Sequence, residues 1–360
     1  MESETARRLT KKRLLLLAFV VIIPLYTFCG WMSKFQFPKP PIPTHFKSSH
    51  ERNLTTVLLW SWPFGSHFNL DGDVCQKLYH IPRCLLISQR LQFSTADFVV
   101  FHNRELMHGE KLPLHLPRPQ GQRWVWMSLE SPPHNGNVKQ YVNIFNLTMS
   151  YRRDSDISIP YGELVPNPNP GKDLDLDLLE NKTHLACWLV SNYRTGHKRT
   201  AVYQQLKSMV PIKVYGRWSG NPLSPSEKLP TLQRCWFYLA FENSQAKDYI
   251  TEKLWDNSYL AGTVPVVLGA PLADYKAVAP PHSFIHVDEF ASLKDLGEYL
   301  KELVKDKKRY REYFNWRKDW KVTMNKDWRK RLCTVCSKQD SFPKYKVYSD
   351  LDAWSAQEHQ

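Results

Sequence analysis

From residue 185 onward the chain alternates short apolar runs with stretches of helical period. "LACWLV" (185–190) leads into a helical stretch at 199–209 and then to "IKVYG" (212–216). "CWFYLAFE" (235–242), a predicted helix over 246–261 stopped by Gly262, and "VPVVLG" (264–269) repeat the unit. "SFIHV" follows, and Ser292 with Asp295 three residues on forms a variant capping box for "LKDLGEYLKELVKD". Strand, helix and strand in succession predict an α/β fold with parallel sheets. The first half carries strand candidates "TVLLWSW", "DFVVFH" and "RWVWMSLE" between proline-broken segments. A boundary is expected at 161–185, where "PNPNPGKDLDLDLLENK" is polar and rich in breakers.

The run "FYLAFENSQAKDYITEKLW" (237–255) turns from apolar to densely polar at a predicted strand end. In parallel α/β sheets, ligands sit beyond the carboxyl ends of the strands, where the next helix offers unpaired N–H groups. Asn243 stands at such a junction. In a helix over 246–261, Tyr249, Glu252 and Lys253 share one face. A ring, a carboxylate and an ammonium together suit a nucleotide sugar, by packing on a base, accepting from hydroxyls and neutralising phosphate. The same triplet also reads as a solvated face with a local ion pair.

The N-terminal pattern differs. Arg7, Arg8, Lys11, Lys12 and Arg13 precede "LLLLAFVVIIPLYTFCGW" (14–31), an uncharged run long enough to span a thin bilayer. The positive flank predicts a cytoplasmic tail at 1–13, a signal-anchor at 14–31 and a lumenal remainder. Residues 32–52, rich in proline and charge, read as a stem. Of seven cysteines, Cys29 lies in the anchor and the other six beyond it. In an oxidising lumen disulfides are favoured over a zinc site built from the Cys333/Cys336 pair with Cys75 and Cys84, and the pairing stays open. N-glycosylation sequons stand at Asn53, Asn146 and Asn181.

The body, once the anchor is set aside, is still too long for one ordinary core and predicts two domains around a cleft. A net charge of +14 suits an anionic partner, whether nucleic acid, membrane or phosphorylated small molecule. Neither G-x-x-x-x-G-K-[S/T] nor G-x-G-x-x-G occurs, which weakens nucleoside triphosphate and dinucleotide readings. Two D-x-D triplets, Asp71 with Asp73 and Asp154 with Asp156, are possible divalent-metal ligands for a diphosphate. Clustered Arg and Lys, including Arg199 and Lys253, offer the same compensation without metal.

"ENSQAKDYITEKLW" followed by "AGTVPVVLG" resembles the donor-binding signature of the animal α1,3-fucosyltransferases (glycosyltransferase family 10). "WVWMSLESP" (124–132), "SYRRDSDISIPYG" (150–162), "ACWLVSN" (186–192), "FNWR" (314–317) and the terminal C-x-x-C resemble it in the same order. The resemblance implies a Golgi type II enzyme of GT-B type, with two Rossmann-like domains. The first, acceptor-binding, would span 53–170, with 320–360 packing back on it, and the second, GDP-fucose-binding, 171–320. Fucose would pass with inversion from GDP-β-L-fucose to N-acetyllactosamine glycans, sialylated or not. Neither cofactor nor metal nor nucleic-acid partner is implied, so Asp154 and Asp156 would be structural.

Carried over by position, Glu130 is the expected base on the acceptor hydroxyl. Arg199 and Lys253 match diphosphate cations, Tyr238, Asn243, Tyr249 and Glu252 match donor contacts, and Tyr161, Ser191 and Asn192 extend that set. The implied disulfides are Cys75–Cys333, Cys84–Cys336 and Cys187–Cys235. In "FHNRE" (101–105), Arg104 replaces the Trp of type 1 chain acceptors, which favours N-acetyllactosamine, although Asn103 departs from the commoner His-His. Independently, "RWVWMSLE" is a strand whose end would deliver Glu130 to a cleft, where an inverting transfer needs a carboxylate. Two other readings remain: a metal-dependent D-x-D glycosyltransferase, and a non-catalytic lumenal carbohydrate-binding protein whose Trp60, Trp62, Trp124 and Trp126 would stack on sugars rather than pack a core.

Overall fold

The structure is a computed structural model that describes residues 54–170 and 179–356. Six strands, β1 (Thr55–Leu59), β2 (Cys84–Ile87), β3 (Phe98–His102), β4 (Arg123–Ser128), β5 (Leu147–Ser150) and β6 (Ile157–Ser158), pair in parallel in the order β2-β1-β3-β4-β5-β6. Burial of both faces explains why β3 reads as a continuous apolar run rather than an alternation. Next, β7 (Gly162–Pro166) leaves the sheet and pairs antiparallel with Trp320–Met324, the last described strand, β13. The second sheet holds β8 (His184–Leu189), β9 (Ile212–Tyr215), β10 (Cys235–Phe241), β11 (Val264–Leu268) and β12 (Ile285–His286), all parallel, in the order β12-β11-β10-β8-β9. The expected α/β class with parallel sheets is therefore what the chain forms.

Each sheet reverses direction after its second strand, as in flavodoxin-like doubly wound folds. The switch points lie between β1 and β3 and between β8 and β10. The carboxyl ends of those strand pairs frame the crevices where such sheets bind ligands.

The helices follow their local signals. Asp73 caps α1 (Val74–Tyr79), and β3 runs directly into the short α2 (Asn103–Met107). After β8 comes α3 (Lys198–Leu206), and a complete Ser224–Glu227 capping box starts α4 (Pro225–Gln233). The helix expected over 246–261 is shorter: α5 covers only Glu252–Leu254 and widens into a π turn over Trp255–Leu260. Asp248 holds φ 59°, its N–H donates to Asp274 at 2.7 Å and its carboxylate takes Arg153 at 2.6 Å. These bonds pin 243–251 as a loop, so Tyr249 does not share a helix face with Glu252 and Lys253. Further along stand α6 (Leu272–Val278), α7 (Leu293–Leu303) and α8 (Lys307–Glu312), with α7 capped by Ser292 as its sequence predicts.

The chain then returns to the first sheet. Cys333 and Cys336 on α9 (Trp328–Lys338) bond to Cys75 and Cys84, and Leu332 and Val335 enter that sheet's core. A third disulfide, Cys187–Cys235, joins β8 to β10. These are the pairings the resemblance implied, and they leave no free thiolates for the zinc alternative. The short α10 (Leu351–Ala356) ends the described chain.

Both sheets belong to one compact unit, Ser49–Gln360. Arg152 and Arg153, just past β5, hold the loop after β10: Asp154 accepts from Arg152 at 2.7 Å and from Lys247 at 3.1 Å, while Arg153 pairs with Asp248 and Asp274. The anchor (14–31), the stem and Asn53 lie outside the described residues. Among the described residues no helix is long and apolar enough to cross a membrane.

Candidate active site

The cleft is best built from Glu130. Strand β4 ends at Ser128, and the backbone beyond it is fixed from several sides. The Glu130 N–H donates to Ser128 Oγ at 3.2 Å, Asn135 Nδ2 donates to the Glu130 carbonyl at 3.4 Å, and Tyr161 Oη donates to the Leu129 carbonyl at 2.6 Å. Asn135 is itself held by Ser128 Oγ at 2.6 Å and by Asn103 Nδ2, and Trp126 Nε1 donates to Asn103 at 3.0 Å. The carboxylate, in contrast, has no hydrogen-bond or ion-pair partner among the described residues, and the half-buried side chain is open to the cleft. A rigid backbone carrying an unengaged carboxylate is what a general base requires.

Opposite Glu130, the switch point between β8 and β10 gathers polar groups that the protein leaves unsatisfied. Arg199, in the first turn of α3, is 5% exposed; one guanidinium nitrogen donates to the Asn192 carbonyl, while Nε has no partner among the described residues. His197 Nδ1 and Thr200 Oγ1 at the same helix start, and Asn243 Oδ1 beyond β10, are likewise buried without partners among the described residues. The first turn of α3 contains no acid. Orphaned buried polar atoms are costly: around a positive helix end they form a receptacle in which Arg199 Nε, Thr200 Oγ1 and His197 Nδ1 can donate to an anion, while Asn243 Oδ1 can accept from a ligand N–H or hydroxyl. Burial pushes the Arg199 pKa down, opposed by Glu242, Tyr249, Tyr238 and Glu252.

Beneath this receptacle lies an ion cluster. Lys253 Nζ contacts Glu242 at 2.8 Å, Glu252 at 3.1 Å and Thr251 Oγ1 at 2.7 Å, so all three of its protons are engaged. Burial would lower the Lys253 pKa, but Glu242 and Glu252 outweigh it and hold the ammonium firmly charged. Glu242, 3% exposed, is pushed upward by burial despite Lys253, and Thr251 donates to it through both N–H and hydroxyl at 2.8 Å. Gly269, at φ 153°, allows this carboxylate's stem to approach: a Cβ there would meet the Glu242 Cβ at 2.6 Å. Glu252 lies deep among neighbouring atoms yet keeps 43% of its side chain open, and Lys253 outweighs burial to lower its pKa.

The remaining expected residues separate into two layers. The hydroxyl of Tyr249 has no hydrogen bond among the described residues, and its ring packs edge-on against Tyr151 at 5.0 Å and Tyr161 at 6.4 Å. Ser191 and Asn192 are exposed just past β8. Tyr238 is fully buried, and its hydroxyl accepts from Asn257 at 3.0 Å, so it stands behind the receptacle with no surface for a ligand. Tyr161 spends its hydroxyl on the backbone beside Glu130. Glu242 stood within the polar run after β10 but was given no role, and Thr251, which with it holds Lys253, and His134 and His197 were not singled out by sequence. The His134 and His197 rings lie 6.4 Å apart across the cleft, where Ser131 also donates to Ser244 at 2.9 Å. The His134 that follows "ESPP" was the available signal.

Past β1 and β3, Arg104 is exposed and stacks its guanidinium 4.7 Å over the ring of Phe64, while Trp328 lies 6.1 Å from that ring. The D-x-D acids are dispersed: Asp156 accepts from Thr148, Lys346 and Tyr348, Asp154 joins the ionic link between sheets, and Asp73 caps α1. Trp60, Trp124 and Trp126 are core residues. Asn181 is exposed, whereas Asn146 uses Nδ2 on the Lys346 carbonyl at 2.8 Å and Oδ1 on the Trp124 N–H at 2.8 Å.

Comparison with known proteins follows the same division of the chain. Residues 52–162 match the family described as fucosyltransferase, N-terminal, and residues 179–354 match glycosyltransferase family 10 (fucosyltransferase) C-term. The chain is 45% identical over 302 residues to alpha-(1,3)-fucosyltransferase 7 of Bos taurus, covering 83% of this chain and 86% of that one. Identity to 4-galactosyl-N-acetylglucosaminide 3-alpha-L-fucosyltransferase 9 of Mus musculus is 41% over 302 residues, 84% and 82% of the two chains. A crystal structure of an alpha1,3-fucosyltransferase with GDP superposes with a TM-score of 0.51 at 18% identity, covering 85% of this chain and 95% of that one, which is a likeness of fold. The chain belongs to glycosyltransferase family 10, the fucosyltransferases.

Proposed function

We propose that this glycosyltransferase transfers L-fucose from GDP-β-L-fucose, with inversion, to O3 of the GlcNAc in N-acetyllactosamine. The products are Lewis X or sialyl-Lewis X type structures. The observation that carries the reading is the opposition of two unfinished half-sites. One is the unengaged Glu130 carboxylate; the other is the set of orphaned polar groups, Arg199 Nε, His197 Nδ1, Thr200 Oγ1 and Asn243 Oδ1.

The chemistry follows from that arrangement. The diphosphate of GDP seats against Arg199 and the start of α3, where the guanidinium and the helix end stabilise the charge that develops as the C1–O bond breaks. Lys253 acts from beneath by keeping Glu242 and Glu252 charge-balanced, so that Glu252 can accept from a sugar hydroxyl. Glu130 takes the proton from the acceptor O3 as that oxygen attacks C1 from the face opposite GDP. Arg104 over Phe64 lies at the first sheet's switch point and is the proposed determinant of acceptor choice.

The assembly is of GT-B type, with the first sheet holding acceptor and the second holding donor. We place the enzyme in the Golgi as a type II protein anchored by 14–31, and the transfer needs no metal, because Arg199 supplies the compensation. Incubating the full chain with GDP-fucose and N-acetyllactosamine, with and without EDTA, tests this. The expected result is a chelator-resistant α1,3-fucosylated product, identified by its NMR linkage. Abolition by EDTA with rescue by Mn²⁺ overturns the metal-free reading, and no transfer in either condition overturns the substrate assignment.

A further inference from the structure

A second basic hollow lies at the opposite end of the first sheet from Glu130. Residues at the amino ends of β4 and β5 and the segment 343–347 line a cavity of about 530 Å³, within the range of small-ligand sites. Four of its lining side chains, Arg118, Arg123, Lys344 and Lys346, are cations, and none is an acid. Two of these are committed. Arg118 donates to the carbonyls of Gln122 and Ile144 and stacks on Trp124, and Lys346 pairs with Asp156 at 2.6 Å.

Arg123 and Lys344 are not committed. The guanidinium of Arg123 makes no hydrogen bond or ion pair with any described residue; its one ring contact is Phe342 at 5.9 Å, and its Nη1 is buried without a partner. A desolvated guanidinium nitrogen lacking an acceptor is unfavourable unless an external anion completes it. Beside it, Lys344 Nζ stands 5.6 Å from the ring of Tyr345, which is 86% exposed. An open ring next to unpaired cations fits a sugar that carries a negative charge, with the ring under the pyranose and the cations on the charged group.

We propose that this cavity is a second saccharide site, which takes an acidic sugar bearing sulfate or carboxylate. The six residues of β4 separate it from Glu130 by roughly 20 Å at about 3.3 Å per residue, so it does not extend the acceptor cleft. Asn146 at its rim has both amide atoms engaged, which leaves the hollow open to a ligand from solution. The site would let an acidic glycan hold the enzyme while another antenna reaches Glu130, raising effective acceptor concentration without a new catalytic contact.

The test uses the full chain saturated with GDP, so that the catalytic anion receptacle is filled. A sulfated heparin disaccharide and 3'-sialyllactose are titrated by calorimetry against wild type, Arg123→Gln, Lys344→Glu and the remote control Lys294→Gln. Binding by wild type and Lys294→Gln, weakened at least tenfold in both cavity variants, is the expected result. Lys344 is exposed, so its substitution does not jeopardise folding. Binding of 3'-sialyllactose, whose one charge is a carboxylate, shows that a carboxylate suffices, and binding of the heparin disaccharide alone shows that sulfate is required. No binding to wild type, or binding that falls equally in Lys294→Gln, overturns the site and reduces the effect to net charge.

Discussion

The Tyr161 hydroxyl donates to the Leu129 carbonyl at 2.6 Å, one residue before the proposed base. The ring comes from the residue before β7 and its acceptor from the residue after β4, so the bond fixes where Glu130 stands. Burial raises the Tyr161 pKa well above its ordinary value, which keeps the proton in place for donation. Tyr161→Phe leaves the carbonyl without its partner, at a cost of about 1–3 kcal/mol. Positional error at a base reaches about 10²-fold in rate, so kcat should fall while GDP affinity, measured by calorimetry, stays near wild type. Weaker GDP binding with unchanged kcat would make Tyr161 a donor contact instead.

The ion cluster around Lys253 predicts a split between stability and binding. Lys253→Ala strands the buried carboxylate of Glu242, and removing one partner of a buried pair costs about 3–5 kcal/mol. A Lys253→Ala, Glu242→Gln double variant should recover much of the melting temperature. Its GDP affinity should remain weaker by about 1.5–3 kcal/mol if the ammonium also serves the diphosphate. Full recovery of both would make Lys253 purely structural.

Acid should loosen the joint between the sheets. Burial alone would raise the Asp154 pKa, but Arg152 and Lys247 hold it down at about 2. A folded pKa below the unfolded one contributes stability that is present above the unfolded value near 3.8 and lost as pH falls toward about 2. Melting temperature measured from pH 5 to pH 2 should therefore drop less steeply in Asp154→Asn than in wild type. With the side chain 38% exposed, added salt should shrink the difference. Parallel curves would remove Asp154 from the joint.

Glycan occupancy separates two sequons. Asn146 is locked by the Lys346 carbonyl and the Trp124 N–H, whereas Asn181 is exposed. Peptide mass spectrometry of the secreted-pathway protein should find glycan at Asn181 and bare Asn146, and full occupancy at Asn146 would show that the chain is modified before residues 343–348 dock.

How far the sequence could be read depended on where its signals were local. Apolar runs such as "VPVVLG" and "CWFYLAFE" gave β11 and β10 directly, because strands buried on both faces need no alternation. The helix expected over 246–261 failed because Asp248, Arg153 and Asp274, brought together from three segments, stabilise a loop that local propensity disfavours. Strands β2, β5 and β6 and the β7–β13 pair were missed for a related reason: each is short, and their pairing is decided by distant partners. Within the site, Glu130, Arg199 and Asn243 were legible from family resemblance and strand-end position. That Lys253 is saturated by Glu242, Glu252 and Thr251, and that Tyr238 is buried with its hydroxyl on Asn257, depended on side-chain geometry that spacing does not encode.

The sharpest expectation concerns Glu130 itself. Its carboxylate has no partner among the described residues, so Glu130→Gln breaks no ion pair and leaves no orphan behind there; folding and GDP affinity should be nearly unchanged. Gln can still accept a hydrogen bond from the acceptor hydroxyl but cannot remove its proton as the bond to fucose forms. A positioned general base contributes about 10²–10⁴-fold, so transfer to N-acetyllactosamine should fall by that order in single-turnover kinetics, with melting temperature as the control. Because the supporting bonds run to the backbone of residues 129 and 130, not to the carboxylate, the variant keeps the geometry that Tyr161→Phe disturbs. The pair of variants thus separates loss of the base from misplacement of it. Near wild-type transfer by Glu130→Gln would move the proton acceptor elsewhere, and His134, across the cleft from His197, would be the next residue to substitute.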